Sequence, residues 1–442
     1  MRLGSARRWP GLAYTYDADG RLTQVDDSAL GQGGSVTCTR RVYGFDAESD
    51  RTSLASFTAD ADGACNSDPA NETDTGYSYD AADRLLSDSV SNLGGTSAGT
   101  AVSGSYGYDQ LGRTSTLPAV DAAGIGSHAG LSGDVSIGYY ANDYVNSQSQ
   151  GVGAGADTIT FTLDPMQDRV RSQSDSASGV STIEHYGDDS DSPVWTVSSD
   201  GSMTRNLIGP DGSLAGSVDQ TGTVTWDVVN PHGDVVGQIA NDTTATPAAS
   251  GFSSSTEYGA PRVAADAYDT YGWVGSHRRS SNDLAGLVLM GVRLYNPTTG
   301  RFLSTDPISG GNPNTYTYPT DPINGSDLSG ACPWCLVWGL ELLAVALVAA
   351  LTYEAVDHYG GIQLHPTLHL HMPHIFHHGG QNETHPSMKK AKAAAKKEAN
   401  SGSGGTYRGK GNCDHYHCDY KDAPTSHHRG PHSKPYRPKW GV

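Results

Sequence analysis

The sequence predicts an all-β protein of stacked hairpins with a chemically different C-terminal end. Three observations carry this. First, only 17% of the 442 residues are charged, while 23 are Tyr and 55 are Gly. That mixture suits short strands and tight turns, and it argues against a helical bundle and against an α/β enzyme of Ala/Leu/Glu/Lys type. Second, a short motif recurs at nearly constant spacing. Third, residues 386–442 hold twelve Lys/Arg against four Asp/Glu, a charge of +8, so the rest of the chain carries −27 within the overall −19. An acidic body with a basic end implies two parts with different partners.

The repeat reads aromatic-x-aromatic-Asp, then a short gap, then Arg. It occurs as Tyr14–Asp17 with Arg21, Tyr43–Asp46 with Arg51, Tyr77–Asp80 with Arg84 and Tyr106–Asp109 with Arg113. A decayed copy is Phe161–Asp164 with Arg169. From first aromatic to Arg the offsets are 7, 8, 7, 7 and 8 residues. Alternate strand residues face the same way, so both aromatics of a copy share one sheet face. The Asp side chain then bonds its own backbone in a tight turn. Arg opens the returning strand, its stem beside a ring and its head on the Asp. Tyr16, Tyr79 and Tyr108 are expected to stack as rungs. Between Val170 and Ala265 clean copies are few.

The six cysteines are too scattered for a disulfide scaffold, although Cys38 and Cys65, each in an insertion between repeats, are able to pair. Met1–Gly11 has positive residues without a following apolar stretch, so no secretory signal is expected there.

Beyond the repeats the chain reads Gly291-Val292-Arg293-Leu294-Tyr295-Asn296-Pro297, then Gly300-Arg301-Phe302-Leu303-Ser304-Thr305-Asp306-Pro307. Next come Tyr316-Thr317-Tyr318, Asp321-Pro322-Ile323-Asn324 and Asp327-Leu328-Ser329-Gly330, and an earlier element reads Pro231-His232-Gly233-Asp234. With the repeats, these residues resemble the YD-repeat proteins of the RHS family and their repeat-associated core, of the polymorphic-toxin type. Leu328 stands where the family has Pro, and Asp321 where it more often has Asn. The resemblance implies a β-hairpin ribbon winding into a cocoon-like shell, partial here because the chain is short.

It also implies self-cleavage near Gly330 by an aspartyl-protease-like step. Such a step needs two carboxyls, one ionised and one protonated. The candidates are Asp306 with either Asp327 or Asp321, and Arg301 as an electrostatic neighbour. The expected divisions are 1–265 for the repeat shell, 266–330 for the core, 331–358 for a hydrophobic helix, 359–405 for a His-rich and basic linker and 406–442 for a variable tip of mixed helical and irregular structure.

Residues 332–356 form an apolar run interrupted by Glu341 and Glu354. It is long enough to enter a target membrane, or to lie as a plug inside the shell. Cys332 and Cys335 have the spacing of a redox or zinc half-site. A His-rich tract runs from His365 to His385, and Lys389–Lys397 is a short basic segment. Thirteen of the 17 histidines follow Gly330. In a strand, His415, His417 and Asp419 share a face. With His428 they suit acid–base cleavage of RNA, one imidazole taking the 2′-hydroxyl proton and another protonating the leaving oxygen. Cys413 and Cys418 with a His offer a zinc alternative, and an inert tail is the third reading.

No cofactor is expected and no metal-ligand set is assigned. The implied function is a secreted or cell-surface carrier that delivers a nuclease-like tip in competition between bacteria. Its expected partners are a cognate immunity protein, target RNA rather than DNA, and a membrane contacted through 332–356. The alternative is a non-enzymatic, wall-associated adhesion protein with an inert tail.

Overall fold

The computed structural model describes residues 11–331, except 31–35, 92–101, 123, 126–127, 129, 168, 243–248, 269 and 309–311, together with the strands Gly411–Cys413, His417–Tyr420 and His432–Pro435. The chain divides into two compact units, residues 1–360 and 361–442. The expected hydrophobic segment 332–356, the Cys332/Cys335 pair, the His-rich tract, the basic segment, His415 and His428 lie outside the described residues. Among those described, no helix is long and apolar enough to cross a membrane.

The first unit is all-β. A seven-stranded antiparallel sheet runs in chain order from Gly11–Tyr16 to Val102–Ser105, and a thirteen-stranded one from Gly107–Tyr108 to Ala249–Ser250. The Tyr106 amide donates to Leu86 O at 3.0 Å and links the two. The sheets do not close into a barrel. Each strand pairs with its neighbours in sequence, as a ribbon of hairpins requires.

The repeat turns follow one geometry. In three copies Asp Oδ1 accepts the Arg backbone N–H, at 2.9 Å for Asp17–Arg21, 3.1 Å for Asp80–Arg84 and 3.0 Å for Asp109–Arg113. In all three, Asp Oδ2 accepts Arg Nε at 2.7 Å. The pairing slips by one residue just before the second aromatic, between Thr15 and Tyr16, Ser78 and Tyr79, and Gly107 and Tyr108. Such a bulge sharpens the twist and curves the ribbon.

The expected ring-on-ring rungs are replaced by an alternation of Arg and aromatic. Arg21 lies over the Phe45 ring at 5.3 Å, Arg84 over Tyr108 at 5.4 Å and Arg113 over Tyr139 at 4.9 Å. The reason is spacing: each Arg is held by its own Asp at the ribbon's edge, between one repeat's ring and the next. Tyrosines also reach back, Tyr79 Oη donating to Arg51 O at 2.7 Å and Tyr108 Oη to Leu85 O at 2.9 Å.

The second copy departs, and its longer offset explains why. Arg51 pairs with Phe45, the register place that Leu22 and Leu85 fill opposite Tyr16 and Tyr79. One extra residue turns it to the other face, where it is buried over the Tyr43 and Tyr258 rings at 4.9 and 4.2 Å. Asp50 takes the usual Arg place. The stretch after Val170, poor in motifs, continues as hairpins with degenerate turns. At Asn230, for example, Oδ1 accepts the amides of His232 (3.0 Å) and Asp234 (2.9 Å), as the repeat Asp does. Cys38 and Cys65 form a disulfide.

The core segment packs on these sheets. Leu284, Leu287, Leu294 and Leu303 join Leu117, Val135, Ile159 and Phe161 of the larger sheet in one apolar cluster. Ile323 packs with Leu22, Val25 and Tyr43 of the smaller one, and Tyr258, from the segment before the core, joins them. Burying a side chain of this size is worth about 1.5–3 kcal/mol. In the second unit the three described strands form one antiparallel sheet in which Cys413 pairs with Cys418 in register and His417 with Pro435.

Two outcomes are expected. Tyr79→Phe removes only the bond to Arg51 O and costs about 1 kcal/mol in urea unfolding, while Tyr79→Ala also removes the packed ring and costs about 3 kcal/mol. Buried Asp121 is pushed up to about 7, first by burial and then by the charge of Asp88. Its protonated form is therefore favoured in the fold, and its contribution to stability declines between pH 4 and 7, by at most about 1.4 kcal/mol per pH unit. Asp121→Asn should flatten that part of the stability profile.

Candidate active site at the end of the core

A three-stranded sheet of Val288–Met290, Arg293–Asn296 and Arg301–Phe302 carries the site. The tight turn between its first two strands receives the end of the core, Val292 N donating to Ser329 O at 3.0 Å. The approach requires glycine on both sides. A Cβ on Gly291 (φ +59°) would lie 2.2 Å from Ser329 O, and one on Gly330 (φ +64°) 2.3 Å from Met290 O.

Arg293, 2% exposed, is the hub. Its guanidinium lies 3.6 Å from the centre of the Phe302 ring, and its five N–H groups face five acceptors. Nε donates to Gly330 O. Nη1 donates to Thr315 O at 3.0 Å and more loosely to Ser304 O at 3.5 Å. Nη2 donates to Asp306 Oδ2 at 3.0 Å and Asp327 Oδ2 at 3.1 Å. The remaining oxygen of Asp327, Oδ1, accepts the Ala331 amide and the Ser329 hydroxyl, both at 3.2 Å.

One peptide bond is therefore gripped at both ends. The carbonyl of Gly330–Ala331 meets a guanidinium N–H, and its nitrogen lies against a buried carboxyl. A cation on the carbonyl oxygen stabilises the charge that develops there when the carbon is attacked. Burial pushes the Asp306 carboxyl up against the pull of Arg293, and the charge of Asp327 adds to the rise. Asp306 thus retains a proton more readily than an isolated Asp.

Of the residues expected from sequence, Asp306 and Asp327 come together here. Arg301 does not join them. It pairs with Asp50, donates to Asp83 O and lies 4.7 Å over the Tyr79 ring, fastening the core to the second and third repeats. Asp321 accepts the amides of Ile323 and Asn324, both at 3.3 Å, and caps its own turn. His417 and Asp419 are alternate positions of the strand His417–Tyr420, and their partners in the expected set are outside the described residues. Arg293 was the residue overlooked. Its signal was the Arg two places before Tyr295, opening a strand that leads to the core's Asn-Pro.

No family model matches the sequence, and no curated protein does. Among solved structures, that of TcdB2-TccC3-Cdc42 is similar at TM-score 0.45 and 15% identity, over 72% of this chain and 17% of that one. TcdB2-TccC3 without its hypervariable C-terminal region gives 0.46 and 14%, over 72% and 17%. The Tc holotoxin pore of Photorhabdus luminescens, with a mutation in TccC3, gives 0.46 and 16%, over 73% and 17%. The chain spans about a sixth of the length of these proteins.

Removing the hub should be severe. Arg293→Ala leaves Asp306 and Asp327 buried without their cation, and denaturant unfolding should show a loss of about 3–5 kcal/mol.

Proposed function

We propose that this chain is an RHS-type toxin carrier that cuts itself at Gly330–Ala331 and so frees its C-terminal part from the β-ribbon. The observation that carries the reading is the double grip on that peptide bond by Arg293 and Asp327. Asp327 takes a proton from a water as the water oxygen adds to the Gly330 carbonyl carbon. Arg293 Nε holds the resulting oxyanion. Asp306, the carboxyl that burial pushes up, gives its proton to the Ala331 nitrogen as the C–N bond breaks, leaving a Gly330 carboxyl group and an Ala331 amine. A Cys38–Cys65 disulfide supports a secreted or cell-surface destination, because such bonds persist in oxidising surroundings. The repeats and the core-like segments support the RHS assignment.

In this reading residues 331–442 are the cargo, an RNA-cleaving tip in which His417 and a second imidazole share acid and base roles, with a cognate immunity protein as its natural partner. The net positive charge of 386–442 supports a polyanionic substrate.

Mass spectrometry of the purified chain should find a fragment beginning at Ala331. Asp327→Asn and Asp306→Asn should each abolish it while the chain stays folded. The step needs Asp306 protonated, and burial pushes that carboxyl up, so cleavage should be faster at pH 5 than at pH 8. A single intact species at both pH values would remove the self-cleavage reading. For the tip, expression of residues 331–442 in bacteria should arrest growth and His417→Ala should relieve the arrest. Equal growth of the two would leave a carrier without that activity.

A further inference from the structure

Away from the core end, three ligand-type side chains converge at one margin of the thirteen-stranded sheet. His128 comes from the segment between the strands Thr114–Leu117 and Val135–Tyr139. Asp157 opens the strand Asp157–Leu163, and Asp175 closes its antiparallel neighbour Val170–Asp175. Asp175 pairs with Ile159, two residues from Asp157, so the two carboxyls share a face. His128 Nε2 is 3.5 Å from Asp157 Oδ2 and 3.6 Å from Asp175 Oδ2, and one ligand atom from each residue lies within 4.8 Å of the others.

These separations are too long for charge-assisted hydrogen bonds, which close to about 2.7–2.9 Å. They match the edge of a tetrahedron, about 3.4 Å for ligands about 2.1 Å from a zinc ion.

Neighbouring amides and hydroxyls hold the carboxylates in place. Asp157 Oδ1 accepts the Thr158 amide at 2.7 Å, the Ser176 hydroxyl at 2.8 Å and the Ala177 amide at 3.0 Å. Its other oxygen, Oδ2, is buried with no hydrogen-bond donor, in a residue only 2% exposed, and faces the imidazole. Asp175 Oδ1 accepts the Ala177 amide at 2.8 Å, and its Oδ2 accepts the Ser178 hydroxyl, also at 2.8 Å. Each carboxylate is thus oriented by hydroxyl and amide donors. The Asp175 side chain is 21% exposed, so the site is open on one side to solvent, the source of a fourth ligand.

We propose that His128, Asp157 and Asp175 bind a divalent transition-metal ion, zinc by geometry and donor set, which clips the segment around residue 128 to the ribbon. One imidazole nitrogen and two carboxylate oxygens suit Zn²⁺ better than Mg²⁺, which demands six near-octahedral oxygens. The net −2 of the carboxylates balances the ion's charge. Binding to the folded chain alone raises its stability by mass action.

The test uses the full chain, stripped with a chelator and then titrated with Zn²⁺ or Mg²⁺ while its melting is followed. Zn²⁺ should raise Tm by several degrees and Mg²⁺ should not. The shift should vanish in Asp157→Asn and in Asp175→Asn, and persist when the histidines of 365–385 are replaced by Gln. Co²⁺ should give a tetrahedral visible spectrum in the parent protein that Asp175→Asn lacks. If Asp157→Asn fails to fold, the partly exposed Asp175→Asn decides the matter. No Zn²⁺-dependent shift, or one retained in Asp175→Asn and lost with the tail histidines, would overturn the site and leave an imidazole between two carboxyls.

Discussion

The guanidinium held between the Asp of its own turn and the aromatic ring of the next repeat is the contact from which the rest of the first unit is built. A hairpin by itself is marginal, because it buries little and fixes many backbone angles. Here the turns of Arg21, Arg84 and Arg113 each export a cation to a neighbour. Arg21 also donates to Asp46 O at 2.7 Å, and Arg113 to Tyr140 O at 2.8 Å, so these two turns are each tied to the main chain of the one after. Stability then accumulates from nearest-neighbour terms, as in other repeat proteins.

The same chemistry, displaced by one residue, fastens the core. Arg51 turns inward beneath Tyr43 and Tyr258, and the vacated Arg place goes to Asp50, which receives Arg301 and the Asn314 amide at 2.7 Å. A one-residue irregularity in the repeat thus becomes the socket for a segment about 250 positions away. Further along, His232 Nε2 meets Pro322 O at 2.8 Å and Leu22 N donates to Thr320 O at 2.9 Å. The closing segment is fixed from both sheets, and Arg293 can present a defined fork to the last residues of the core.

That fixity bears on chemistry. A reacting peptide bond must be held against its acid, its base and its oxyanion donor at once. Gly291 and Gly330, each in a left-handed conformation, let two backbones approach where no side chain fits. The cost of burying Arg293 with two carboxyls is offset by filling every N–H, which is the condition under which a buried ion pair is tolerated.

The repeat spacing by itself determined the all-β class, the hairpin ribbon and the Asp–Arg turns, because these are local: four or five residues contain the bonds that define them. The resemblance at the core end pointed to Asp306 with either Asp327 or Asp321, and the fold brought Asp306 and Asp327 together. Tertiary structure decided which cation joins them, since Arg293 and Arg301 sit on adjacent paired strands and only packing against Phe302 or against Tyr79 and Asp50 separates their roles. It likewise decided that Asp321 caps a turn and that Arg and aromatic rings alternate. The meeting of His128, Asp157 and Asp175 was invisible in the chain, because a loop and two strand ends have no periodicity in common. Those outcomes depend on contacts between residues far apart in sequence, where the backbone path alone brings the side chains within reach.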